Sequence, residues 1–434
     1  MSPRRAFTST LAFTVAFTFA STAHANALDT FGYSARAESM AGAQAADVRG
    51  YAAAHHNPAG VALTDDIEAA IGYGGGVMGL TINSSDAQVT SARGTSIGLA
   101  IPIKLGSATL AFGVALYVPD QFVARIQLVP ATEPHFVLLD NNLQHLVVTP
   151  VLALKLGRRF SIGAGATVLA DAAGNGVNFD VGIVGGDKVG KADLDVALPI
   201  RAAPVVGLTI LPARWLRIGV AYRGELDLGL KLDILANVNI AGVITGDTFI
   251  TLRAVNFYTP HKVSLGVAAD LTRNITLSAE VDYLAWSQFK TAIPDLRVLV
   301  ALGISPPLVE ALFPTPRFND VWTPRIGGEV RHDLSEKVGL SIRAGYAYEH
   351  TPVPNQTGLT SFADNDRHIL AIGAGLELRR LISILPRPLR FDVALQLHEL
   401  IARTTAKDPR YFEGQGFTSG GYLLHFAATL EARF

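Results

Sequence analysis

The chain ends on a segment, Gly420 to Phe434, in which Tyr422, Leu424, Phe426, Leu430 and Phe434 are apolar while His425, Thr429, Glu431 and Arg433 between them are polar. A two-residue period describes an extended strand with one oily face and one polar face. Such a strand cannot stand alone in water, so the rest of the chain has to supply its partners.

Alternation recurs along the chain. From Trp215 to Ile234, residues Leu216, Ile218, Val220, Tyr222, Leu226, Leu228, Leu230, Leu232 and Ile234 share one face, and Arg217, Arg223, Glu225, Asp227, Lys231 and Asp233 share the other. This spacing predicts strands at 67–80, 94–105, 108–119, 145–156, 159–171, 192–211, 214–236, 248–271, 274–285, 323–333, 336–349, 366–380, 388–399 and 420–434. Fourteen is an even number, as single-chain bacterial barrels require. Their connectors alternate between tight (106–107, 157–158, 212–213, 272–273 and 335) and long (120–144, 172–191, 286–322, 350–365 and 400–419). Short periplasmic turns and long extracellular loops give that parity, with both termini periplasmic. Pro199, Pro204 and Pro260 interrupt two of the segments, so twelve or sixteen strands also fit. The expected class is all-β: a transmembrane antiparallel β-barrel of about fourteen strands.

The N-terminus agrees with an envelope location. Arg4 and Arg5 precede an apolar run, Leu11 to Ala20, and Ala23 and Ala25 put small residues where a signal peptidase reads. Residues 1–25 are therefore expected to be a signal peptide, too short in its apolar part to span a membrane. With 36 basic and 37 acidic residues, the chain has no cationic excess for nucleic acid. Cysteine is absent, which removes disulfides, thiolate metal sites and thiol nucleophiles. The 41 glycines and 22 prolines favour turns over long helices.

Residues 26–66, rich in alanine and glycine, lack the strand pattern. On the periplasmic side of the first strand, such a segment is either a free tail or a plug folded into the lumen, and a fourteen-stranded barrel is wide enough to need filling. The terminal aromatic strand resembles the C-terminal signature of outer-membrane barrels, the segment expected to engage the barrel assembly machinery. Three further stretches resemble FadL-type outer-membrane transporters of long-chain fatty acids and other hydrophobic compounds. They are Asn57-Pro58-Ala59 after the Ala/Gly-rich segment, the paired strands of Thr259 to Phe289 ending in Trp286-Ser287, and Pro352 to Pro354 followed by Asp364, Asp366 and Arg367. The resemblance implies an N-terminal hatch (26–66) plugging the lumen of a barrel (67–434), with lateral exit through a gap near the third strand. Gly113 is the candidate weak point there, since glycine permits a bulge; a packing glycine is the blander reading.

The inward phase carries Arg217, Arg223, Glu280, Asp282, Arg325, Glu329, Arg331, Arg343 and Arg367. Mutual ion pairing explains such a lining, and a carboxylate clamp from Arg325, Arg331 or Arg343 is the sharper reading, because guanidinium pairs with carboxylate in bidentate fashion. Two long loops are unexpectedly apolar, through Phe122, Phe136, Leu138 and Leu139 in one and Leu299, Leu312 and Phe313 in the other. They form a packed lid, a hydrophobe-capturing groove, or both. His55-His56 lacks further metal ligands, Gly72 to Gly79 lacks the lysine of a phosphate loop, and no Ser-His-Asp grouping stands out. No metal, cofactor or enzymatic activity is expected. The expected partners are a fatty acid or aromatic hydrocarbon, outer-membrane lipid and lipopolysaccharide, with the chain acting as a monomer. A general porin, a structural barrel and an outer-membrane hydrolase are the competing classes.

Overall fold

Turns set the geometry. Gly106 and Gly157 hold φ angles of 62° and 59° with open space around them, the left-handed conformation that closes tight hairpins and that glycine adopts without strain. The computed structural model describes residues 27–89, 91–120, 132–140, 146–170, 177–182, 188–194, 200–240, 244–289, 295–301, 308–312, 316–380, 387–410 and 414–434. The expected signal peptide, Pro199, Phe122 and Phe313 lie outside these.

The wall comprises β1 (Glu68–Ile82), β2 (Arg93–Leu105), β3 (Ala108–Pro119), β4 (Leu146–Leu156), β5 (Phe160–Ala170), β6 (Arg201–Ala213) and β7 (Leu216–Arg223), followed by β8 (Lys262–Asp270), β9 (Ile275–Leu284), β10 (Val321–Ser335), β11 (Val338–Glu349), β12 (Arg367–Leu378), β13 (Leu389–Ala406) and β14 (Gly416–Arg433). Neighbours in sequence pair antiparallel throughout, and β1 pairs with both β2 (Glu68 opposite Ala100) and β14 (Glu68 opposite Arg433), closing a fourteen-stranded barrel. Closure leaves no sheet edge in the wall.

Side chains alternate as the sequence requires. In β14, Tyr422, Phe426 and Leu430 face outward and are 41–49% exposed, while His425 and Thr429 are 3% exposed. Ile97, Leu152, Ile218, Leu265, Ile326, Ile342 and Ile372 extend the same exposed apolar surface around the wall. A belt this large is unsustainable in water and matches a hydrocarbon surround.

Three expected strands were too long. In place of 192–211, 214–236 and 248–271 the wall contains only 201–213, 216–223 and 262–270. The intervening Leu226–Ile240 and Ile244–Thr259 pair with each other and join Val177–Gly182, Lys188–Leu194, Asp295–Ala301 and Leu308–Leu312 in a separate six-stranded antiparallel sheet. Alternation carries no information about which sheet a strand enters. The breaks do: Gly224 leaves the ladder to donate to the carbonyl of Pro204, and Pro260 has no N–H to continue one. Leu226, expected to face lipid, is consequently buried at 4% exposure.

Residues 27–63 fill the lumen as short helices, α1 (Ala27–Thr30), α2 (Ala35–Glu38) and α3 (Ala53–His56), with 3-10 turns at Gly50–Ala52 and Pro58–Leu63. The wall makes room for this plug with inward glycines. A Cβ on Gly163 would sit 2.6 Å from the Ala59 nitrogen, one on Gly327 would sit 2.7 Å from Met40 Cβ, and on Gly219 it would overlap the Ala45 carbonyl. Charges complete the fit. Arg36 of the plug bridges Asp47 and Glu329 at 2.6 Å each, Asp47 meets Arg217 at 2.7 Å, and Glu329 continues to Arg343 at 3.5 Å.

Candidate functional site

Above the plug lies a cavity of about 140 Å³. Its floor is built by Asn57 and the turn that follows. Asn57 Oδ1 accepts from the Ala59 N–H at 3.1 Å and caps the 3-10 turn opened by Pro58, while Nδ2 donates to the Ala45 carbonyl at 2.6 Å and to Leu208 O and Thr209 Oγ1 at 3.3 Å. Both ends of the carboxamide are thereby used, and the turn presents His55, His56 and Pro58 upward. Burial pushes the His56 imidazole down to about 3, and burial with the nearby Arg223 guanidinium holds His55 well below the usual histidine range. The floor histidines are therefore uncharged near neutral pH.

Positive charge comes from the wall. Arg223, Lys262, Arg325 and Arg367 line the cavity, with Glu280, Glu349 and Asp364 among them. Asp282, fully buried, is shared: Arg325 Nε donates to it at 2.8 Å and Lys262 Nζ lies 2.9 Å away. Glu280 is committed to the plug, accepting from the backbone N–H groups of Gln44 and Ala45 at 2.7 and 2.6 Å. Arg367 pairs with Glu349, and Arg223 donates to the His55 carbonyl.

Apolar side chains share the lining. Leu138 and Leu139, from the short helix α4 (Val137–Asp140), join Tyr258, Leu284, Trp286 and Pro352. Behind them Tyr258, Phe289, Phe318 and Phe362 form a buried aromatic cluster, with Phe289 stacked on Phe318 at 4.7 Å.

The residues singled out from sequence are distributed unequally around this cavity. Arg325, Leu138, Leu139 and Pro58 line it. Phe136 is fully buried behind the lining, its backbone bridged to Ala363. Arg343 is buried between Asp392 at 2.7 Å and Glu329, and Arg331 stands elsewhere, donating to Thr276 Oγ1 at 2.7 Å. Leu299 and Leu312 belong to strands of the six-stranded sheet. Ala59 accepts from Ser161 Oγ at 2.7 Å through its carbonyl. Gly113 faces inward onto Val61 and is paired without interruption to Ala100 and Val151. The neighbouring seam is less regular: between β4 and β5 the pairing jumps from Val148–Val168 to Val151–Gly165, across Pro150.

Lys262, Tyr258 and Trp286 were not singled out as ligand contacts. Lys262 was detectable, because it extends the inward phase of Ser264, Gly266 and Ala268 by one step. Tyr258 was not, since its strand leaves the barrel.

Among solved structures, a FadL homologue of Pseudomonas aeruginosa superposes with a TM-score of 0.58 at 18% identity, covering 95% of this chain and 98% of that one. The CymD monoaromatic hydrocarbon channel gives 0.55 at 13% (93% and 97%), and the Ralstonia pickettii toluene transporter TbuX 0.52 at 16% (93% and 99%). These likenesses are of fold. A search of curated protein sequences returns no significant match. Residues 12–384 match the family model described as outer membrane protein transport protein (OMPP1/FadL/TodX). The closed barrel, the lipid belt and a match over most of the sequence agree: the chain belongs to the OMPP1/FadL/TodX family of bacterial outer-membrane transport proteins.

Proposed function

We propose that this protein takes up hydrophobic compounds bearing an acidic head, long-chain fatty acids being the simplest such class. The observation that carries the reading is Asp282: one carboxylate serves both Lys262 and Arg325, so two cations stand together where a further anion can meet them, in a cavity that aromatic and aliphatic side chains also line. A ligand carboxylate completes the pairing while its apolar body meets Leu138, Leu139 and Trp286.

Capture is energetically easy. Each methylene withdrawn from water contributes roughly 0.8 kcal/mol, so a sixteen-carbon chain gains on the order of 12 kcal/mol in an apolar site. Release is the harder step, and it requires the plug floor to change shape. Exit is lateral, through the wall around β3 to β5, where Pro150 interrupts the ladder beside Gly113 and its partner Val151. A plain aromatic hydrocarbon is the second reading. It is favoured by the cavity volume of about 140 Å³, near the roughly 150 Å³ of an engineered apolar cavity that holds benzene.

Uptake assays separate these readings. Cells lacking the protein and any paralogue should import hexadecanoate more slowly, and Lys262→Met should impair acid uptake while leaving toluene uptake unchanged. Replacing Phe136, Leu138 and Leu139 together by serine should weaken capture at least tenfold, since each fully buried side chain contributes roughly 1.5–3 kcal/mol. Unchanged uptake of both acid and toluene in Lys262→Met would favour the hydrocarbon reading, and unchanged uptake after deletion would remove transport altogether.

A further inference from the structure

Two hydroxyls in the lining of the cavity lack a hydrogen-bond partner among the described residues. Tyr258 is 7% exposed, and among the described residues neither its Oη nor the Oγ1 of the adjacent Thr259 has a hydrogen-bond partner. Both residues line the cavity. Of the carboxylates around it, Asp320 accepts from Tyr283 Oη at 2.6 Å and from the Ser287 N–H at 2.8 Å, Glu225 faces His261 at 3.4 Å, and Asp227, opposite Tyr258 in the ladder, is exposed. The ring itself is well packed, with centroids 5.1 Å from Phe289 and 5.7 Å from Trp286. A phenylalanine would fill that space equally well and would avoid burying a lone hydroxyl, which is destabilising unless a partner arrives. Burial also pushes the phenol up, so it remains a neutral donor near pH 7.

We infer that Tyr258 and Thr259 form a subsite for a neutral oxygen, so that the preferred ligand carries a hydroxyl or carbonyl on its apolar body in addition to the acidic head. The inference rests on the proposed function for the head group and on the orphan hydroxyls for the body. A site built to hydrogen-bond a ligand oxygen discriminates against the analogue lacking it, because its own polar groups are then left unpaired. Such a subsite makes the cavity selective for oxygenated hydrophobes over plain ones, although the surrounding aromatic lining is itself indifferent to oxygen.

The test is equilibrium binding to the purified full chain in detergent. The probes are hexadecanoic acid, its monohydroxylated derivatives with the hydroxyl near the head, middle or tail, and the methyl esters of all four. At least one hydroxylated isomer should bind about tenfold more tightly than the parent, and that gain should vanish in Tyr258→Phe or Thr259→Val while the parent binds each variant as well as before. No gain for any isomer, or a gain kept in both variants, would overturn the subsite. If the acids bind no better than the esters, the acidic-head reading fails by itself and the ester series still decides the subsite. Failure of acids and esters alike to bind overturns both.

Discussion

Replacing Asn57 by alanine should loosen the plug without loosening the barrel. The side chain makes four hydrogen bonds, three from Nδ2, to Ala45 O at 2.6 Å and to Leu208 O and Thr209 Oγ1 at 3.3 Å, and one to Oδ1 from Ala59 N at 3.1 Å. Loss of a cap costs about 1 kcal/mol, and leaving the buried Ala45 carbonyl without its donor costs about 1–3 kcal/mol more. A local destabilisation of about 2–4 kcal/mol raises the population of opened plug roughly 30- to 1000-fold. Amide hydrogen exchange, read by mass spectrometry on peptides covering residues 43–63, measures that population directly. Peptides from β13 and β14 should exchange as in the wild type, because their ladders run unbroken from Leu389–Ala432 to Leu400–Gly421 and do not involve Asn57. Asn57→Asp should be at least as disruptive, since it keeps the acceptor for Ala59 but turns a carboxylate oxygen toward the Ala45 carbonyl. Wild-type exchange of the plug in Asn57→Ala would refute the claim that this carboxamide ties plug to wall.

Three further outcomes follow from the faces of the barrel and the charge of the cavity. Ile372, 59% exposed on β12, faces lipid, so Ile372→Arg should lower barrel assembly by roughly 2–4 kcal/mol if it lies near the midplane, whereas Asp227→Ala, outside the wall, should assemble normally; equal yields on semi-native gels would show the faces to be misassigned. Asp364, in the loop before β12, is pushed up to about 6 by burial, against the lowering effect of Arg367. Because the folded state holds this proton above the ordinary carboxyl range, stability should fall as pH rises from about 4 to about 6 and level off above that. Binding of a long-chain acid should likewise tighten as pH falls from 7 through about 6, as a cavity anion is neutralised, and Asp364→Asn should flatten that dependence.

The barrel was legible because a wall between lipid and plug imposes a strict two-residue period on every strand, as in β14 from Tyr422 to Leu430. Where no such division exists the signal fails. Leu226 to Ile234 alternate as regularly as Leu216 to Tyr222, yet only the second run lies in the wall, because Gly224 and Pro260 redirect the chain and neither changes the alternation. The inward charges were legible as a set, from their parity. Their division into plug ties and cavity lining was not: Arg325 and Arg343 have the same phase on adjacent strands, and what separates them is that Asp392 closes around one while Lys262 competes with the other for Asp282.

The plug and the wall share one core, and that limits how the channel can open. Withdrawing the plug as a unit would strand Arg36, Asp47, Arg217 and Glu329, a connected set of nearly buried charges, and each uncompensated charge costs several kcal/mol. It would also expose the inward glycines at 163, 219 and 327, whose missing side chains are what admit Ala59, Ala45 and Met40. The residues facing the cavity are tied differently. His56 meets the Tyr33 carbonyl at 3.0 Å and the His55 ring edge-on, Asn57 and Pro58 rest on neutral hydrogen bonds and packing, and one charged tie, from Arg223 to the His55 carbonyl, holds the start of the turn. Neutral ties of about 1 kcal/mol each break and reform on thermal timescales, whereas the charged set does not separate without water or a counter-ion entering. On the proposed uptake function, ligand passage is therefore expected at the turn from His56 to Ala59, while Arg36 and Asp47 hold the rest of the plug in place.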